Sequence, residues 1–205
     1  MSKYLVMILL VMAGLAFGNN VNKKTYQTKT DKYYKQYKKE FSKLPVANKK
    51  KILNAYYNNQ AYDLGYTMAG TMFLENRGMD TSFNNKKSIN KNNHGTYVTY
   101  DCGDYGINTM TYLRSIGKVT KKHSTHIEAC KTLSKNKALN HKLALDTYEY
   151  GLTKSKGNIL KSWNVYNTGD VKTVNDRIYQ MKGIIMVLEK EVKANKIEEY
   201  RLALL

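Results

Sequence analysis

The stretch Ala69-Gly70-Thr71-Met72-Phe73-Leu74-Glu75-Asn76-Arg77-Gly78 places a carboxylate inside an apolar helical pattern. At about 100° per residue, Glu75 shares one stripe of the predicted helix with a mostly apolar set, namely Ala61, Leu64, Met68, Thr71 and Met72. Packing of that stripe would carry Glu75 inward, where an ionised carboxylate is costly and the protonated form is favoured. Such a group suits general acid catalysis. The alternative is a Glu that turns to solvent or pairs with Arg77.

The sequence on either side predicts an α+β fold that is predominantly α. Helices are expected over residues 23–43, 46–59 and 60–77, with the only proline, Pro45, between the first two and Gly78 as a left-handed cap after the third. The alternation of Thr96 to Tyr100 within residues 80–103 predicts a small β-hairpin.

Further helices are predicted through Met110 and Leu113, through Leu143 to Tyr148, and over residues 159–167. Residues 84–93 and 118–137 are too polar to place. A last helix has an apolar seam, formed by Val174, Ile178, Met181, Ile185, Leu188 and Val192. We expect this helix to pack on its own domain rather than to form a dimer, so the protein is predicted to be a monomer.

The chain divides into four predicted parts. Residues 1–18 form a signal peptide or a short membrane anchor, and residues 19–58 form a basic helical extension whose aromatic side chains we expect to pack on the domain. Residues 59–170 form the main domain, and residues 171–205 form the C-terminal amphipathic helix. The uncharged run from Tyr4 to Phe17 is short for a membrane span, so export to the periplasm or cell exterior is expected, with or without cleavage.

The net charge of +18 predicts a polyanionic partner. Only four of the 34 basic residues are arginine, which does not favour specific nucleic-acid readout because that readout relies on bidentate arginine contacts. An anionic cell-envelope surface is the expected partner. Part of the charge also fits the lysine usage of an A+T-rich genome.

Cys102 and Cys130 are the only cysteines, and in an exported protein they can form one disulfide bridge. His123, His126 and His141 lie near Cys130 in sequence, but their spacing does not complete a metal-ligand set. We therefore predict no metal and no cofactor.

Three phrases occur in order along the chain: the helix that ends with Glu75, then Gly103-Asp104-Tyr105-Gly106-Ile107-Asn108, then Ser162-Trp163-Asn164-Val165-Tyr166-Asn167-Thr168-Gly169. This order, with a β insertion between the first two, resembles the lysozyme-like superfamily, which includes goose-type lysozymes and soluble lytic transglycosylases. The resemblance covers about residues 60–170. It implies a lysozyme-like fold and peptidoglycan glycan strands as the substrate.

The resemblance also implies roles for individual residues. Glu75 would be the catalytic acid, and Tyr166 would reach toward it through its hydroxyl. The substrate-binding residues would be Tyr105, Gly106, Thr109, Tyr166 and Asn167, although the family commonly has Gln where this chain has Thr109. Asp101 and Asp104 are the favoured candidates for a second carboxylate, with Asp80 as a third.

The implied function is cleavage of the bond between N-acetylmuramic acid and N-acetylglucosamine, in phage lysis or local wall opening. Without a convincing partner carboxylate, the sequence slightly favours a lytic transglycosylase over a hydrolase. Two alternatives remain open: a non-catalytic wall-binding module and a basic membrane-active protein.

Overall fold

The computed structural model describes residues 23–79, 86–92, 95–171 and 176–203. The predicted signal segment, Asp80 and Val174 lie outside these residues. The helices are α1 (Lys23–Ser42), α2 (Val46–Asn58), α3 (Gly65–Asn76), α4 (Thr109–Ser115), α5 (His123–Lys135), α6 (Lys137–Lys154), α7 (Ile159–Thr168) and α8 (Arg177–Ala203). A 3-10 turn covers Gln60–Tyr62, and the strands are β1 (Lys86–Asn92), β2 (Gly95–Cys102) and β3 (Ile107–Asn108). The prediction of an α+β fold that is predominantly α is confirmed.

The central helix is α3, and most of its residues are buried. Of the predicted stripe, Leu64, Met68, Thr71 and Met72 are buried, whereas Ala61 is exposed. The prediction of a continuous helix from residue 60 is therefore wrong at its start, because Asp63 adopts a left-handed conformation (φ +55°) between the 3-10 turn and α3. At the other end, Arg77 and Gly78 are both left-handed and close the helix.

One hydrophobic core joins helices α1, α2, α3 and α8. Tyr37 and Phe41 of α1, Ile52 of α2, and Met181 and Leu188 of α8 belong to the same buried cluster as the residues of α3. The basic helix is therefore part of the domain rather than an appendage. The C-terminal helix α8 packs on the same core through Met181 and Leu188.

The α1–α8 contact is close and polar at its rim. A Cβ at Gly183 would lie 2.8 Å from the Cβ of Tyr33, so glycine is required where the two helices meet. Lys29 Nζ lies 2.9 Å from Asp176 Oδ1 at an exposed position. An exposed ion pair of this kind contributes little to stability, so the packing dominates.

The sheet is small and antiparallel, in the order β1-β2-β3. The hairpin β1–β2 agrees with the prediction, and its register pairs Ile89 with Val98. The third strand was not predicted, and it pairs Asp101 with Asn108. The turn between β2 and β3 contains the Gly103-Asp104-Tyr105-Gly106 segment, which is thereby directed toward α3.

Of the two polar segments that the sequence could not place, the second contains helix α5, which packs on β2. Its buried side includes Ala129 and Leu133, and Cys130 forms a disulfide with Cys102 at a Cα–Cα distance of 5.4 Å. Closing a loop of this length contributes about 3 kcal/mol in the chain-entropy account. Among the described residues no helix is both long enough and apolar enough to cross a membrane.

Candidate active site

Glu75 lies in the last turn of α3 and is partly buried against the β2–β3 turn. A Cβ at Gly106 would come 2.5 Å from Glu75 Oε2 and 2.7 Å from its Cδ. Gly106 also has a φ of +60°, a conformation that other residues rarely adopt. The Glu75 carboxyl group therefore occupies the space that a side chain at position 106 would fill.

The β2–β3 turn is held by side chains from three helices. Asn76 Nδ2 donates to the Asp104 carbonyl at 2.8 Å, and Asn140 of α6 accepts from Tyr105 N at 3.0 Å. Tyr166 of α7 donates its hydroxyl to the Tyr105 carbonyl at 2.7 Å. The backbone on which Glu75 rests is therefore fixed from three directions.

The family resemblance implied that the Tyr166 hydroxyl would reach toward Glu75, and the structure places its hydrogen bond elsewhere. The hydroxyl proton goes to Tyr105, the residue before Gly106. Tyr166 therefore acts on Glu75 through the turn, although its ring is close enough for the Glu75 charge to affect its pKa.

Aromatic rings form one wall next to Glu75. Tyr166 stacks on Tyr148 with ring centroids 4.8 Å apart and on Trp163 at 5.5 Å. Burial raises the pKa of the Tyr148 and Tyr166 phenols well above the ordinary value, and the nearby Glu75 charge acts in the same direction. Both phenols consequently remain protonated donors.

Asp101 lies near the end of β2 and lines the same cleft as Trp163 and Tyr166. Its Oδ1 accepts a hydrogen bond from Asn108 Nδ2 at 2.8 Å, and Asn108 Nδ2 also donates to Thr99 Oγ1 at 3.0 Å. Asn108 caps α4 by accepting from Met110 N at 3.0 Å. One asparagine therefore ties the carboxylate to the start of a helix.

These side chains line one cleft of about 1180 Å³. Five residues selected from the sequence meet there: Glu75, Asp101, Gly106, Tyr166 and Asn167. A cleft of this volume is large enough for a polymeric ligand. The geometry places a candidate proton donor and a second carboxylate on the same concave surface.

Three other predicted site residues lie elsewhere. Asp104 is buried and pairs with Lys51 Nζ at 2.7 Å, so its expected role as a cleft carboxylate is wrong. The Tyr105 side chain faces a second groove, of about 720 Å³, together with Asp104 and His141. Only its backbone serves the cleft.

Thr109, expected to contact substrate, is fully buried. Its hydroxyl is 2.8 Å from His126 Nδ1, and its Oγ1 accepts from Tyr100 N at 3.1 Å. His126 is in turn 2.9 Å from the Thr120 carbonyl through Nε2. Thr109 is therefore a core residue that links β2, α4 and α5.

His123 and His141 each have a different hydrogen-bond partner from His126. His123 Nε2 lies 2.7 Å from the Tyr100 hydroxyl, and His141 Nε2 lies 2.7 Å from Asn59 Oδ1. Across the described ranges, no three His, Cys, Asp or Glu side chains are grouped in a way that would hold a metal ion.

Sequence reasoning missed Asn108, Asn140 and Tyr148. Asn108 could have been found, because an asparagine immediately before a helix is a common N-cap. Asn140 and Tyr148 lie within α6 and gave no local signal, since their partners in the turn and in α3 are distant in sequence.

Comparisons with protein-family models, with curated proteins and with solved structures find no match to this chain.

Proposed function

We propose that the protein cleaves the glycosidic bond between N-acetylmuramic acid and N-acetylglucosamine in peptidoglycan, with Glu75 as the general acid. The observation that carries the proposal is the seating of the Glu75 carboxyl group against Gly106 in a cleft that Asp101 also lines. Glu75 and Gly106 belong to two of the three sequence segments on which the resemblance to lysozyme-like enzymes depends, and these two segments are in contact.

Each group has a defined chemical task in this reaction. Glu75 donates its proton to the leaving oxygen as the bond from that oxygen to the sugar C1 breaks. The second carboxylate, Asp101, stabilises positive charge at C1 and assists the attack of water. The Asn108 amide orients Asp101 for that role through its 2.8 Å hydrogen bond.

Asp101 also bears on the type of product. The sequence favoured a transglycosylase because no partner carboxylate was convincing. Asp101 lines the same cleft as Glu75, which supports a second carboxyl group for hydrolysis. We therefore place hydrolysis before intramolecular attack by the muramic 6-hydroxyl.

The surroundings of the site support a wall polymer as substrate. The net charge of +18 would raise the local concentration of the protein at an anionic envelope, which is consistent with the proposed export. The membrane-active alternative requires a free apolar face on α1, whereas Tyr37 and Phe41 of α1 are buried in the core. That packing supports the enzyme over a bilayer-disrupting helix.

The experiment is digestion of purified peptidoglycan by the protein, followed by mass spectrometry of the soluble fragments. We expect muropeptides with reducing N-acetylmuramic acid ends. Anhydro ends would instead identify the transglycosylase route at the same bond, and the absence of any fragments would contradict the proposal.

A further inference from the structure

The kind of basic residue in the cleft differs from that in the rest of the protein. Lysine accounts for all but four of the 34 basic residues of the chain. Even so, all three arginines whose side chains are described, Arg77, Arg114 and Arg177, line the cleft, and no described lysine does so. Lysine carries the same charge, so the three arginines differ from the other basic residues in the planar geometry of the guanidinium group.

Two of these arginines have partners within the protein. Arg77 donates to Glu40 at 2.9 Å and to the Leu74 carbonyl at 3.1 Å, so it closes the end of α3. Arg177 hydrogen-bonds Asn167 at the other side of the cleft. Their guanidinium groups are explained by the fold.

Arg114 has no such explanation. It is exposed, and no side chain or carbonyl in the described part of the protein hydrogen-bonds or ion-pairs with its guanidinium group. It lies on the face of α4 that lines the cleft, together with Met110, Thr111 and Ser115. A planar fork of N–H donors in this position matches a carboxylate through two parallel hydrogen bonds.

The position of Arg114 along the cleft defines which part of a ligand it would meet. Helix α4 starts directly after Asn108, the residue that holds Asp101. Arg114 is the sixth residue after Asn108, which corresponds to a rise of about 9 Å along the helix axis. The Arg114 backbone is therefore more than one helical turn away from the residue that holds Asp101, while its side chain lines the same cleft.

From these observations we propose that Arg114 binds a carboxylate of the peptide stem carried by muramic acid, so that the substrate is peptide-substituted glycan rather than bare glycan. This inference rests on the proposed function and specifies its substrate. Peptidoglycan supplies carboxylates on that stem, and an exposed guanidinium group that lines the same cleft as Glu75 and Asp101 can bind them.

A binding measurement tests the carboxylate site without requiring turnover. The ligands are a disaccharide tetrapeptide, the same compound with its peptide carboxylates amidated, and the peptide-free disaccharide. The signal is the fluorescence of Trp163, the only tryptophan, which lines the cleft. We expect the unmodified tetrapeptide to bind about 10-fold more tightly than the other two.

The variants are Arg114→Gln, Arg114→Lys and a matched control, Lys118→Gln. Arg114→Gln should abolish the preference, and Arg114→Lys should lose most of it because lysine keeps the charge without the fork. Lys118 is exposed just beyond α4, so Lys118→Gln removes the same charge and should leave the preference unchanged. Equal binding of all three ligands to the unmodified protein, or a preference that survives Arg114→Gln, would overturn the inference.

Turnover of peptide-bearing and peptide-free glycan strands separates this inference from the proposed function. Cleavage of both strands at equal rates, with equal binding, would refute the Arg114 site and leave the glycosidase standing. No cleavage of either strand, with carboxylate binding that depends on Arg114, would refute the glycosidase and leave the binding site standing.

Discussion

The backbone of Gly106 and the carboxyl group of Glu75 occupy adjoining space, so that a Cβ on Gly106 would lie 2.5 Å from Glu75 Oε2. The two residues belong to different elements, the β2–β3 turn and helix α3, and each limits where the other can be. The orientation of the carboxyl group therefore depends on the turn as much as on its own helix.

Gly106→Ala is predicted to remove activity more strongly than it removes stability. The new methyl group would push the Glu75 side chain from its seat, and a displacement of about 1 Å at a reacting group can cost about 100-fold in rate. Overpacking and left-handed strain together should lower the free energy of unfolding by about 2–4 kcal/mol. Release of soluble peptidoglycan fragments and denaturant unfolding measure the two effects.

Gly117→Ala is the matched control. Gly117 has a similar φ of +68°, and a Cβ there would meet nothing within 4 Å. This variant should lose only about 1–2 kcal/mol of stability through strain and should keep full activity. Equal activity losses in the two variants would show that the Gly106–Glu75 contact is unimportant.

Tyr166→Phe is predicted to lower both stability and turnover. It removes the 2.7 Å hydrogen bond to the Tyr105 carbonyl and so releases the turn that supports Glu75. We expect a loss of about 1–3 kcal/mol in the free energy of unfolding, and a fall in kcat of about 10-fold with little change in KM.

Tyr148→Phe provides the comparison, because Tyr148 is also a buried phenol in the same stack. Its hydroxyl is 2.6 Å from Thr71 Oγ1, and Thr71 keeps its own bond to the Thr67 carbonyl in the variant. Stability should fall by about 1 kcal/mol, with kcat nearly unchanged. If kcat fell as far as in Tyr166→Phe, the role assigned to the Tyr105 carbonyl would be wrong.

His141 predicts a pH-dependent part of stability. Burial lowers its pKa below the ordinary value of 6.5, because the charged form is disfavoured in the folded protein. As the pH falls through about 6.5, the unfolded chain takes up a proton more readily than the folded protein. The free energy of unfolding should therefore decrease from that pH down to the folded pKa and stay level below it.

The test is urea unfolding of the unmodified protein and of His141→Gln at about pH 7.5 and about pH 5. Glutamine keeps a side-chain donor for Asn59 Oδ1 and does not titrate. The variant should lose less stability on acidification. An equal loss in both proteins would assign the pH dependence to other groups.

The local hydrophobic pattern was sufficient to predict that Glu75 points inward and to predict most of the helices. The periodicity from Leu64 to Met72 reports directly on the side of α3 that packs, and the buried positions agree with it. The packing of the α1 aromatic residues on the domain was predicted from a helical pattern in the same way, and Tyr37 and Phe41 are buried. These features depend on neighbours within one helix, which sequence displays.

The misassigned site residues depend on contacts between distant segments. Asp104 pairs with Lys51 and Thr109 pairs with His126, and neither partner is visible from the residues nearby. Helix α5 was missed because its surface is polar and its attachment to β2 is through a disulfide and a short apolar side. The short strand β3 decides that Asp101 faces the cleft, and two residues are too few to give a pattern.

The most direct test of the central claim is the rate of peptidoglycan cleavage by Glu75→Gln, compared with Glu149→Gln as a control at an exposed position of α6. Glutamine keeps the size of the side chain and cannot give up a proton in the same way. We predict that Glu75→Gln keeps the thermal unfolding midpoint within a few degrees, while its cleavage rate falls by at least about 100-fold, and that Glu149→Gln keeps full activity. Full cleavage by a folded Glu75→Gln protein would contradict the assignment of Glu75 as the acid.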